Sequence, residues 1–141
     1  MNLVLLKIAE EIIKLNENHQ AALGGSLFLQ LIGVNIQREQ KDIDIILDKP
    51  ILELDIKVPE GWKQYSGKTS KMVTYTHTYL PFNIDFIYST EDRQIIKGIN
   101  CGNIENILKT KREYIANGNP NFAKHNNDIL MIELWLFNKV K

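Results

Sequence analysis

The sequence predicts an α+β (α/β) protein, a β-sheet with helices over its back, and three observations predict it. Apolar residues recur at helical spacing near the N-terminus, several segments between 42 and 88 alternate with period two, and from Ser89 onward the pattern turns helical again. At 141 residues the chain suits one ordinary hydrophobic core and reads as a single domain over 1–141.

Leu5, Ile8, Ile12 and Leu15, with Leu3, Leu6 and Ile13 beside them, make a broad apolar stripe that predicts a helix over 3–18, ended by the Asn-rich residues 16–19. Lys7, Glu10, Glu11 and Lys14 interrupt the stripe, so it is expected to be a helix of the mature protein and not a signal peptide. No segment has the apolar length that spans a bilayer, which predicts no membrane partner. A composition 44% hydrophobic and 24% charged is that of a globular chain. The lone Cys101 rules out an internal disulfide and points to a cytoplasmic location. Seventeen basic residues balance seventeen acidic ones, so no net field draws the chain onto a long nucleic acid; a local contact such as a tRNA end remains open.

A short strand over 21–23 leads into Gly24-Gly25-Ser26 and a helix over 27–34, with Ser26 in the position of an N-cap. Glycines there let backbone N–H groups approach an anion, and the helix start adds partial positive charge, so this turn is the expected seat of a nucleotide's phosphates. A polar connection over 35–41 follows. Residues 42–47 then alternate, putting Asp42, Asp44 and Ile46 on one face and Ile43, Ile45 and Leu47 on the other. Two carboxylates two residues apart on one face repel and raise each other's pKa unless a cation lies between them, and Mg²⁺ is the expected occupant.

A second strand is expected over 51–58, with Leu54 and Ile56 facing one way and Glu53 and Asp55 the other, then a polar loop over 62–71. The Gly67-Lys68-Thr69 triplet is not a P-loop: five residues separate Gly61 from Gly67 where that motif has four, and a strand follows it. Lys68 and Lys71 remain candidate phosphate-contacting loop residues. Residues 72–80, rich in Thr and Tyr, predict a strand, and 82–88 another that pairs antiparallel with it. In the latter Asn83, Asp85 and Ile87 share a face, while Ile84, Phe86 and Tyr88 point to the core. An aspartate inside so apolar a strand has no packing reason to be there, and beside Asp42 and Asp44 it completes a three-carboxylate cluster. Asp55 is the alternative third member.

Helices are expected over 92–99, over 104–116 with Asn103 as N-cap, and from Phe122 or Ala123 to 140 after the break at 117–121. The apolar run 129–137 predicts that the last helix is largely buried. Lys124 and Asp128, four apart on it, share a face, either as a surface ion pair or with Asp128 aiming Lys124 at the substrate phosphates. Three scattered histidines and one cysteine give no zinc-type cluster.

Gly24-Gly25-Ser26, Arg38 four residues before Asp42, the Asp42-Ile43-Asp44 strand and Asp85 together resemble the nucleotidyltransferase superfamily that includes DNA polymerase β. Within it the chain is similar to the aminoglycoside and lincosamide nucleotidyltransferases and, with Lys124 and Asp128, to the nucleotidyltransferase toxins of abortive-infection systems. The resemblance implies a mixed, mostly antiparallel twisted sheet with helices on one side. It also implies that Gly25 and Ser26 bind the β and γ phosphates of an NTP, with Gly24, Arg38 and Lys124 part of the nucleotide site. Asp42 and Asp44 would ligate Mg²⁺, and Asp85 would bind a second Mg²⁺ or deprotonate the acceptor. The implied activity moves an NMP from an NTP, in the first instance ATP, to an acceptor hydroxyl on a small molecule, a protein or a tRNA end. A non-catalytic binding module on the same fold, one half of a toxin–antitoxin pair, is the alternative. A homodimer or an antitoxin-type protein is the expected macromolecular partner.

Overall fold

The side-chain oxygen of Asn2 accepts the N–H groups of Val4 and Leu5 and so caps helix α1, Leu3–Leu15, satisfying donors that a helix start leaves open. The computed structural model describes residues 2–36 and 38–140, and for Val140 the backbone alone. Gln37, inside the connection expected over 35–41, lies outside the described residues. After α1 come β1 (Ala22–Gly24), α2 (Gly25–Ile32), β2 (Asp42–Leu47), β3 (Trp62–Gln64), β4 (Met72–His77), β5 (Asn83–Tyr88), β6 (Gln94–Ile96), β7 (Ile99–Cys101), α3 (Ile104–Ala116) and α4 (Phe122–Val140).

The seven strands form one mixed sheet in the order β3-β4-β5-β2-β1-β7-β6, so the architecture is α+β as expected. β4 and β5 pair antiparallel, again as expected, and β2 lies between β1, antiparallel to it, and β5, parallel to it. Alternation sorts the side chains. Leu23, Ile43, Ile45, Leu47, Val73, Ile84, Phe86 and Cys101 are all fully buried on one face, against Leu5, Ala9 and Ile12 of α1 and Leu27, Phe28 and Leu31 of α2. Each such aliphatic or aromatic side chain contributes roughly 1.5–3 kcal/mol by leaving water. A second cluster, Leu29, Val34, Ile36 and Ile132 with Leu108 and Trp135 against it, fastens α3 and α4 to α2.

Five expectations about the elements are corrected. Residues 51–58 are not a strand: a 3-10 turn over Ile51–Glu53 starts them, the Ile51 N–H donates to the Ser70 carbonyl, and side chains satisfy part of the remaining backbone. Asn16 bonds both the N–H and the C=O of Lys57, and Lys68 Nζ donates to the carbonyl of Leu54. Part of the expected loop over 62–71 is strand β3, whose Trp62 packs edge-on against His77 of β4. The helix expected over 92–99 is the β6–β7 hairpin. Lys97 and Gly98 both take positive φ, the backbone of the tight two-residue turn that joins antiparallel strands. Finally, α4 is not largely buried. Ile132 is inaccessible, but Leu130 and Leu134, on the far side of the helix, stay about half exposed. Tyr88 likewise points to solvent and not to the core.

Candidate functional site

The face of the sheet opposite the core carries the aspartates. β2 and β5 run in register, so Asp44 stands beside Asp85, with neighbouring strands about 4.8 Å apart. On the other side of Asp44 is Gly24 of β1, and beyond Asp85 is Thr74 of β4. One row across four strands therefore reads Gly24, Asp44, Asp85, Thr74, with Asp42 one pleat further along. Asp55 stands apart, exposed after the 3-10 turn, where its charge acts on Tyr75 of the core face. Asp85, and not Asp55, therefore stands beside Asp44 on this face.

Burial and crowding leave Asp44 and Asp85 reluctant to ionise. Asp44 is pushed up to about 7, by burial first and then by the charges of Asp85 and Asp42, with Lys111 and Lys124 opposing. Asp85 is raised too, chiefly by burial and further by Asp42, although Thr74 Oγ1 donates to its Oδ1 at 2.7 Å and works the other way. A cation would relieve both, and carboxylate oxygens are the donors that a hard divalent ion such as Mg²⁺ takes. Among the described residues no three His, Cys, Asp or Glu side chains are already gathered in a geometry that could hold one ion.

Gly24 and Gly25 form the turn into α2. Gly25 has φ +61°, and a Cβ there would collide with the Asp44 carboxylate. Only glycine serves, because the conformation and the close approach both exclude a side chain. The sequence placed Ser26 as N-cap of a helix over 27–34. Instead the helix starts at Gly25 and its cap is Gly24, with no side-chain bond, and Ser26 Oγ accepts from Arg38 Nη2 at 3.0 Å.

Arg38 continues to Asp128. Its guanidinium holds that carboxylate with both Nη atoms, the Nη2–Oδ2 bond measuring 2.8 Å, and Lys111 Nζ reaches the same Oδ2 at 2.8 Å. Asp128 is fully inaccessible. Burial alone would raise it, but the hydrogen bonds from Arg38 and Lys111 hold it below the usual carboxylate range. The pairing expected between Lys124 and Asp128 is therefore replaced: Asp128 faces inward to Arg38 and Lys111, while Lys124 is exposed at the start of α4, near enough to lower Asp44. Lys68 Nζ is engaged by the Leu54 carbonyl at 2.9 Å.

Two cations on one carboxylate leave an excess positive charge beside Ser26. His125, packed on Tyr114 with its Nδ1 3.4 Å from Lys111 Nζ, does not add to it, since burial and the neighbouring lysines lower its pKa and keep it neutral. The arrangement places an anion-seeking flank (Ser26, Arg38, Lys111) opposite a cation-seeking row (Asp42, Asp44, Asp85). Lys111 is the residue the sequence reading missed. It sits among Lys109, Arg112 and Glu113, and only the packing of α3 on α4 shows which of these charges turns inward.

Among the described residues no helix is long and apolar enough to cross a membrane. No protein-family model matches the chain, and a search of curated proteins finds no match to it.

Proposed function

We propose that the chain is a metal-dependent nucleotidyltransferase, of the fold its motifs resemble, that moves an NMP from an NTP to an acceptor hydroxyl. The observation that carries the reading is the row Gly24–Asp44–Asp85. A carboxylate cluster lies against a glycine turn that opens a helix, with the Arg38–Asp128–Lys111 cluster on the turn's other flank.

In this reading the Gly24-Gly25-Ser26 turn and Arg38 hold the β and γ phosphates, and Lys111 and Lys124 add positive charge toward them. Asp42 and Asp44, with Asp85 beside them, are the residues that would hold Mg²⁺, which when bound neutralises charge on the phosphate oxygens. Asp85, oriented by Thr74, accepts the acceptor's hydroxyl proton, which its raised pKa favours. The acceptor oxygen forms a bond to the α-phosphorus as the bond to the β-phosphate oxygen breaks, and pyrophosphate leaves from the Arg38 side. The acceptor approaches over the β4–β5 half of the open face.

The test is transfer of label from α-³²P-ATP in the presence of Mg²⁺, alongside thermal melting with and without Mg²⁺-ATP. Ligand at about a hundred times its Kd stabilises by about 2.7 kcal/mol, a rise of roughly 5–10 °C for a chain of this size. Asp42→Ala and Asp44→Ala should abolish both the rise and the transfer. A wild-type protein that melts identically with and without Mg²⁺-ATP would sink the reading. A metal-dependent rise without transfer to any acceptor would instead favour the binding module.

A further inference from the structure

On α3, Lys111 and Tyr114 are three residues apart and share a side of the helix. Lys111 reaches Asp128, and through it Arg38 and Ser26 at the glycine turn. Tyr114 stands at the outer end of that chain. Its ring packs on the His125 ring, the centroids 4.9 Å apart and the planes at 47°. His125 is buried, whereas Tyr114 is 42% exposed, so the imidazole backs the phenol ring and leaves part of it open to solvent. Burial pushes the Tyr114 hydroxyl up, and the charge of Asp44, ahead of that of Glu113, pushes it further, so the phenol lies within the electrostatic reach of Asp44. Lys124, next to His125 in sequence, acts on Asp44 as well. The corner between α3 and α4 thus carries a part-exposed aromatic ring at the far end of the chain of contacts that starts at the glycine turn.

A nucleotide whose phosphates lie on the glycine turn must send its base away from that turn. Every base has a π-face that stacks on an aromatic side chain without needing a hydrogen-bond pattern. We propose that Tyr114, braced by His125, is the stacking platform for the nucleobase of the bound NTP, and that it favours purines because their two fused rings cover more of the phenol. This rests on the nucleotidyltransferase reading and adds to it the subsite that selects the base.

The experiment compares wild type, Tyr114→Leu and Tyr114→Phe as full-length chains, titrated with ATP, UTP and inorganic tripolyphosphate in Mg²⁺. Loss of the ring should weaken ATP by about 30-fold, the middle of the range for base–aromatic stacking. UTP should weaken less, so that the preference for ATP narrows, and tripolyphosphate should bind all three proteins alike. Tyr114→Phe should bind ATP within about twofold of wild type, because the ring and not the hydroxyl carries the effect. The triphosphate of 2-aminopurine riboside gives a readout independent of variant stability: its fluorescence should be quenched on binding wild type. Unquenched fluorescence in the wild-type complex, or an ATP affinity that Tyr114→Leu leaves unchanged, overturns the platform while tripolyphosphate binding leaves the phosphate site standing. If wild type binds neither ATP nor tripolyphosphate, the enzymatic reading falls with it.

Discussion

Asp44 and Asp128 pull the molecule in opposite directions with pH. Asp44 carries a folded-state pKa of about 7, above the ~3.9 of an unfolded aspartate, so its contribution is fully present below about pH 4 and is lost as pH rises through 7. Asp128 is depressed, so its contribution is present above the unfolded value and lost as pH falls through the folded one. In a chelating buffer, wild type should therefore lose on the order of a few kcal/mol between pH 4 and 7.5 relative to Asp44→Asn. Urea denaturation at several pH values measures it, and parallel curves for the two proteins would refute it. Added Mg²⁺ should recover most of the loss at pH 7.5. The carboxylates were legible in the sequence because an aspartate at period two in an apolar strand has no ordinary reason to be there. Lys111 and the true partners of Asp128 were not, since residues 109–113 are all polar, four of them charged, and give no local sign of which one a second helix will cover.

Elements resolved best where their pattern was long and local. The helices of residues 3–15 and 104–116 and the strands β2, β4 and β5 follow from spacing alone, whereas the misread segments are short or held by distant side chains. The stretch 51–58 has strand-like alternation but gives backbone groups of Leu54 and Lys57 to Lys68 and Asn16, and neither is visible from inside it. The β6–β7 hairpin hid because Lys97 gives no sign of its left-handed conformation. Glu91 shows how such joints are fixed. Its carboxylate accepts from Ser89 Oγ, Asn106 Nδ2 and the backbone N–H of Asn103, tying the end of β5 to the start of α3. Glu91→Ala should cost about 2 kcal/mol, since it strips partners from three half-buried donors. The urea midpoint should fall while the slope holds; an unchanged midpoint would mean that water replaces the carboxylate without loss.

At the scale of the whole molecule, the Arg38–Asp128–Lys111 cluster binds three parts that share little sequence proximity: the connection after α2, the middle of α3 and the first turns of α4. Asp128→Asn keeps the shape but leaves two cations facing each other, and should destabilise by about 3 kcal/mol, the scale on which breaking a buried pair is felt. A double-mutant cycle with Lys111→Met should then show strong non-additivity, because removing one cation lightens the repulsion. Additive losses would mean that the cluster does not act as a unit.

The sheet's outer margins carry a consequence of their own. β3 and β6, the two edge strands, are three residues long each, and their exposed side chains include Lys63, Gln64 and Gln94. The six-residue strands β2, β4 and β5 all lie inside, paired on both sides. A stray strand from another chain meets only a short template at either margin, which limits edge-to-edge pairing even though β6 exposes Ile95 and the longest strands are apolar enough to invite it.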